Sequence, residues 1–306
     1  MPIGALIVAC GKVSGGEILN PTEIIGSVSV VARMVETYRQ IHAERIVVVY
    51  SAQQCLSLPK QLAKTGAVCL DCGDTLLEMF DCVKLGVAYL ADKCDRLLLS
   101  TTDTPLFTAD TLRALLFAGE AIVNPVYQGH AGHPLLLTKP VFAPLLLYDG
   151  TDGLRGFLAK TQLHPGFVPV QDGGILYNLK TETNVKSAVD AYDKESLHVS
   201  VRLRLVKQRP FFGPGAAQLL SLIAETGSVS LACQQMGISY SKGWKILSTM
   251  EEQAGKVLTT RQQGGKNGGT AFLTEDGRKL LSTFRLFEER CNAYIQREFE
   301  ALFSEW

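Results

Sequence analysis

Asp103 stands where side-chain chemistry is easy. It follows an apolar run, residues 95–101 with Leu97, Leu98 and Leu99 at its centre, and it precedes Thr104 and Pro105. A carboxylate that leaves a buried strand into a proline-fixed turn can hold Mg²⁺ against the phosphates of a nucleotide; it can also close a turn or cap a helix. A second such stretch is residues 226–250. Ser228 and Ser239 are placed to cap two short helices, the first with apolar positions at Leu231, Ala232 and Met236, and Gly237 supplies the left-handed residue between them. Ser239, Ser241, Lys242 and Lys245 gather at the start of the second helix, and Trp244 and Leu247 are expected to be buried. Hydroxyls and cations at that place on a recognition helix meet base edges and phosphates. The same periodicity also suits a helical hairpin inside a core. Residues 262–269, Gln-Gln-Gly-Gly-Lys-Asn-Gly-Gly, separate two strand-like segments, 256–261 and 270–273. A hairpin with a glycine-rich tip brings backbone close to a phosphate chain, where Lys266 and Asn267 add charge and hydrogen bonds.

The elements that must position these residues read as two domains, 1–195 and 196–306, as the length of 306 residues suggests. In the first, strands are expected at residues 3–9, 45–50, 67–70, 95–101 and 121–127, and helices at 26–41, 54–64, from a cap at Asp74 to 91, and from about 109. This alternation means an α/β fold, a mostly parallel sheet with helices on both faces. Ligands in such sheets lie at the carboxyl ends of the strands, here the loops at residues 10–21 and 101–105. The last helix, from about Thr274, carries Leu280, Phe284, Phe287, Cys291 and Tyr294 at coiled-coil spacing. Because a helix-turn-helix reads two half-sites, that seam is expected to join a homodimer, with packing on its own domain as the other reading.

Composition sets further bounds. From Ser196 onward there are 14 Lys and Arg against 10 Asp and Glu, while the first 195 residues hold 16 against 20. A basic module beside an acidic one places nucleic-acid binding at the C-terminal end. No charge-free run of 18 apolar residues occurs, so no membrane span is expected. The apolar start lacks a basic leader and reads as a first strand, and eight scattered cysteines suit a reducing compartment; a cytoplasmic protein is expected. Cys69 and Cys72 form a lone C-x-x-C, either a metal site or, more simply, packing thiols. His130 and His133 are other candidate ligands.

Several motifs then carry a resemblance. Phe-Gly-Pro-Gly (212–215), Thr-Gly-Ser-Val-Ser (226–230), Gly-Ile-Ser-Tyr-Ser-Lys-Gly-Trp (237–244), Gly-Gly-Lys-Asn-Gly-Gly (264–269) and Leu-Thr-Glu-Asp-Gly (273–277) resemble, in order, the DNA-binding domain of ModE-type molybdate-responsive regulators. That family binds DNA as a dimer and carries its molybdate-binding domains downstream. The resemblance implies a winged helix-turn-helix with a long C-terminal helix and double-stranded operator DNA as partner. In the first domain, the opening strand and loop, Thr-Thr-Asp-Thr-Pro (101–105), Asn-Pro (124–125), Gly-His-Ala-Gly-His-Pro (129–134), Asp-Gly-Thr-Asp-Gly-Leu-Arg-Gly (149–156) and Gly-Ile-Leu-Tyr-Asn-Leu-Lys-Thr (174–181) resemble MobA/MocA-like nucleotidyltransferases of molybdenum-cofactor synthesis. A three-layer, Rossmann-like nucleotidyltransferase sheet is implied.

By that resemblance Asp103 is a catalytic metal ligand for Mg²⁺, and Gly132, His133 and Pro134 shape the acceptor side. Asn178 belongs to the substrate site, and the loop with Ala9, Cys10, Gly11 and Lys12 cradles a triphosphate. The family loop is close to Ala-Ala-Gly-x-Ser-x-Arg-Met-Gly with a Lys after it. Here the Arg is replaced, no Lys follows, and Lys12 is the one cation of residues 9–21. Lys180 also stands where a carboxylate or amide is expected. Fixed cations stabilise the leaving pyrophosphate in the transition state, so the catalytic core reads as eroded. The expected function is therefore a DNA-binding regulator whose first domain senses a nucleotide, molybdate or pterin. The alternative is a working Mg²⁺-dependent nucleotidyltransferase fused to a regulatory module. A remnant domain that serves as a dimerisation scaffold is a third reading.

Overall fold

A computed structural model describes residues 2–10, 20–63, 65–73, 78–179, 189, 190, 192, 193, 197, 199, 201–262 and 270–303. The chain divides into two compact units, Met1–Gln61 with Ala67–Ser196, and Leu62–Gly66 with Leu197–Trp306.

In the first unit, β1 (Ile3–Val8) is followed by a small hairpin, β2 (Ile24–Ile25) and β3 (Val28–Ser29), and by α1 (Val30–Gln40). Next come β4 (Arg45–Tyr50), α2 (Leu58–Leu62), β5 (Val68–Asp71), α3 (Met79–Leu90), β6 (Arg96–Thr101) and α4 (Ala109–Phe117). The rest is β7 (Ile122–Tyr127), β8 (His130–Ala131), β9 (Leu135–Thr138), α5 (Lys139–Leu147), α6 (Gly153–Lys160), β10 (Gly166–Pro169) and a 3-10 turn at Gly173–Leu176. The sheet runs β10-β7-β9-β6-β1-β4-β5, with β8 on β7. Its pairs are parallel except those made by β8 and β9.

Strand alternation shows that helices cover both faces. Ile7 pairs with Ser100 and Leu6 with Leu99, so each pair shares a face and the two pairs face opposite ways. Tyr38 of α1 donates to Ser100 Oγ at 2.8 Å. On the other face Leu6 packs on Gly86 of α3, where an added Cβ would lie 2.3 Å from Leu6 Cδ1. Burial on both faces explains the apolar runs of β1 and β4 and the Leu97–Leu99 centre of β6.

Some elements depart from the sequence expectation. The helix expected at 54–64 is only α2, because Pro59 has no N–H and is tolerated only near a helix start. The first expected helix begins at Val30, after the β2–β3 hairpin turned at Gly26 (φ 69°). The helix expected from Asp74 begins at Met79 after Glu78, and Asp74 lies outside the described residues. Strands β8, β9 and β10 carried too little periodicity to read.

The second unit opens with a hairpin of β11 (Leu205–Val206) and β12 (Pro210–Phe212). Helices α7 (Pro214–Thr226), α8 (Val229–Gln235) and α9 (Tyr240–Ala254) follow, then β13 (Thr259–Gln262), β14 (Thr270–Leu273) and α10 (Glu275–Phe303). Ser228 caps α8, Gly237 takes φ 63° beyond its end, and Ser239 caps α9 by accepting from Lys242 N–H at 3.3 Å. β13 and β14 pair antiparallel, Thr259 opposite Leu273 and Gln262 opposite Thr270. The strand expected from 256 starts at Thr259, and Val257 is exposed. Leu231, expected to face inward, is 49% exposed, and Trp244 is half-buried.

Candidate functional site

The first candidate site lies at the carboxyl edge of the sheet. β6 ends at Thr101, and Asp103 follows two residues later, half-buried, accepting a hydrogen bond from the Thr101 hydroxyl. Thr102 N–H donates to Val8 O at 3.3 Å, which joins this loop to the end of β1. β9 runs antiparallel to β6 and starts where β6 ends, Leu135 opposite Leu99. The turn of Gly132, His133 and Pro134 therefore arrives at the same edge.

A third segment closes this corner. Leu179 N–H donates to Asp103 O at 2.8 Å, which sets half-buried Asn178 beside the loop. His133 N–H donates to Ile175 O at 3.0 Å. Two glycines permit the approach: a Cβ on Gly132 would lie 2.3 Å from Ile175 O, and one on Gly174 would lie 1.8 Å from Leu106 O. Asp172 fastens the 3-10 turn to the start of α4. Its carboxylate accepts from Thr108 N–H at 2.8 Å, Thr111 Oγ1–H at 2.6 Å and Gly174 N–H at 2.9 Å. The sequence reading missed Asp172; an Asp two residues before a glycine turn is the signal that could have found it.

Charge and burial at this corner define what it can do. Burial pushes His133 below the usual imidazole range, with the charge of Asp103 acting the other way. Its Nδ1 is buried without a hydrogen-bond partner among the described residues, as is Asn124 Oδ1. A neutral imidazole with an unmet ring nitrogen is suited to accept or donate one hydrogen bond to a small ligand. As for Mg²⁺, Asp103 offers one carboxylate, and no group of three acidic or imidazole ligands surrounds it among the described residues. That fits an ion held chiefly by substrate phosphates and water.

The phosphate-cradle expectation fares differently. Ala9 N–H donates to Val49 O at 2.8 Å, so that donor is committed to the sheet, and both Ala9 and Cys10 are buried at 3% and 1% exposure. Gly11, Lys12 and Lys180 lie outside the described residues.

The second candidate site is the exposed start of α9. Gly243, Leu247 and Met250 form the buried side, and an added Cβ on Gly243 would lie 2.2 Å from Cys233 Sγ. This close crossing of α8 and α9 makes the helix-turn-helix. It leaves Ser241, Lys242, Lys245 and Ser248 exposed, with Ser241, Lys245 and Ser248 on one stripe. Neither lysine makes an ion pair among the described residues, whereas Arg209 is paired with Glu252 and Lys256 with Asp276. Tyr240 stands edge-on to Trp244, ring centroids 5.8 Å apart. Lys266 and Asn267 fall outside the described residues, between the strands β13 and β14.

Two separate parts of the chain match known families. Residues 22–165 match the family described as MobA-like NTP transferase domain, and residues 215–278 match the lysR-family bacterial regulatory helix-turn-helix. The transcriptional dual regulator ModE of Escherichia coli K12 is 34% identical over 84 residues, 28% of this chain and 32% of that protein. The molybdenum-pterin-binding protein MopB of Rhodobacter capsulatus is 36% identical over 76 residues, 25% of this chain and 28% of that protein. The chain thus spans about a third of the length of the curated relatives it matches. A nucleotidyl transferase from Methanothermobacter shares the fold at a TM-score of 0.53 and 16% identity, over 64% of this chain and 99% of that one.

Proposed function

We propose that this chain is a DNA-binding transcription regulator linked to molybdenum metabolism. Its second unit binds duplex DNA, and its first unit is a nucleotidyltransferase-like domain that senses a small ligand. The observation that carries the reading is the start of α9. Two lysines without ion-pair partners among the described residues and two serines stand exposed on a helix whose inner side is locked against α8 by a glycine contact. That is the surface a recognition helix presents to a major groove. The relatives named as ModE regulators, matched over the same part of the chain, support the molybdenum link. At the sheet edge, His133 Nδ1, which has no hydrogen-bond partner among the described residues, lies beside Asp103 and supports a ligand pocket for a nucleotide or pterin, with molybdate as the other effector to try.

The test is selection of bound duplexes from a random DNA pool by the full chain, with and without molybdate. Enrichment of a two-fold symmetric motif is expected, in line with a dimer. Recovery of an unenriched pool would overturn the reading.

The retained corner of Asp103, His133 and Asn178 favours a second reading, a Mg²⁺-dependent nucleotidyltransferase. Release of pyrophosphate from CTP or GTP in the presence of molybdopterin, lost in Asp103→Ala while DNA binding persists, would establish it.

A further inference from the structure

Three cysteines from separate elements meet in the first unit. Cys10 lies just past β1, Cys72 just past β5, and Cys82 in the first turns of α3; their Sγ atoms all lie within 4.8 Å of one another. Cys10 and Cys82 are 1% and 0% exposed, and Cys72 is half-buried. Cys69, the C-x-x-C partner of Cys72 in sequence, is not in the group. β5 pairs with β4 from Val68 onward, and Cys72 N–H extends the ladder to Tyr50 O at 2.8 Å. Residues three apart on an extended chain face opposite sides, so Cys69 turns away.

We propose that Cys10, Cys72 and Cys82 form a three-thiolate site for one thiophilic divalent cation of the Zn²⁺ class.

Two arguments support it. A tetrahedral ion with ~2.3 Å bonds holds its sulfurs ~3.8 Å apart. Here Cys10 and Cys82 are 3.1 Å apart and the widest pair is within 4.8 Å, so closing on an ion needs each edge to change by only ~1 Å or less. The donor set is all sulfur, which selects soft cations and excludes Mg²⁺ and Ca²⁺. Thiols bind metal as thiolates, so metal uptake must displace protons to the solvent, up to one from each thiol. The bound ion would tie the end of β1, the end of β5 and α3 together. The proposal is independent of the DNA-binding reading, and DNA plays no part in its test.

The experiment uses the full chain, reduced, stripped of metal and titrated with Co²⁺ and then Zn²⁺. One equivalent of Co²⁺ should give thiolate-to-metal charge-transfer absorption that Zn²⁺ abolishes, with proton release. Zn²⁺ should also shield Cys72, the half-buried member of the group, from alkylation mapped by mass spectrometry, and leave half-buried Cys291 as reactive as before. Cys72→Ser should weaken Zn²⁺ binding about tenfold or more, and Cys69→Ser should not. Absence of the charge-transfer band in folded protein, its survival in Cys72→Ser, or shielding of a different cysteine set would overturn the site. If Cys72→Ser fails to fold by circular dichroism, the alkylation map of the unmodified chain decides the matter.

Discussion

Gly243 and His133 show how single residues set the two candidate sites. A Cβ at Gly243 would meet Cys233 Sγ at 2.2 Å, so Gly243→Ala must push α8 and α9 apart or rotate the thiol. Overpacking of this kind costs roughly 1–3 kcal/mol. We expect Gly243→Ala to destabilise the chain by that amount in urea denaturation, and Cys233→Ala to relieve most of it when combined. Additive effects of the two changes would show that the contact is not the cause. His133 makes a pH prediction. Its folded-state pKa is lowered by burial from the ordinary 6.5, so the unfolded chain binds the proton more readily. Its neutral form is fully accommodated above that pH, and stability falls as pH drops below about 6.5 towards the folded value. His133→Gln should flatten that part of the pH profile of unfolding free energy; an unchanged profile would place the acid sensitivity elsewhere.

At the scale of elements, α9 and β9 do most to place the functional residues. Ser239 starts α9, Gly255 (φ 69°) ends it, and its exposed stripe follows from the burial of Gly243, Leu247 and Met250. On selected duplexes, Lys242→Ala or Lys245→Ala should weaken binding. A phosphate contact would lower the slope of log K against log salt by about 0.9 for every sequence. A base contact would instead cost about 1–3 kcal/mol and relax one position of the motif. Normal binding by both variants would remove α9 from the interface. In the first unit, β9 breaks the parallel order and thereby returns Gly132, His133 and Pro134 to the edge where β6 releases Asp103. Without that reversed strand the two segments would lie at opposite ends of the sheet.

α10 buries Leu281 and Phe284, the latter against Phe212 with ring centroids 5.0 Å apart. Farther along, Phe287, Tyr294 and Leu302 are 46%, 57% and 72% exposed. Phe284 of the 4-3 seam thus packs inside its own unit, while Phe287 and Tyr294 of the same seam form an exposed stripe. Self-association through this stripe is the expected outcome. Sedimentation equilibrium should find a dimer that Phe287→Glu converts to monomer, with weaker binding to two-half-site DNA. A monomer of the unaltered chain at the concentrations that bind DNA would contradict it. Among the described residues no helix is long and apolar enough to cross a membrane.

Much of this molecule was decided locally and could be read from the chain. β1 and β4 and the Leu97–Leu99 centre of β6 are apolar runs because both faces are covered, and that pattern survives in sequence. The helix-turn-helix was legible because caps and left-handed glycines act within a few residues: Ser228, Gly237 and Ser239 take the roles their types dictate. The position of Asp103 after β6 follows from the same local logic. Contacts between distant segments were not legible. Local spacing suggested Cys69 with Cys72, but the pleat separates them, and the sheet order instead joins Cys72 to Cys10 and Cys82. The commitment of Ala9 N–H to Val49, the anchoring by Asp172 and the arrival of His133 beside Asp103 depend on β1 lying next to β4 and β9 next to β6. Pairing of that kind is set by the burial of whole strands, a property that no short window of sequence contains.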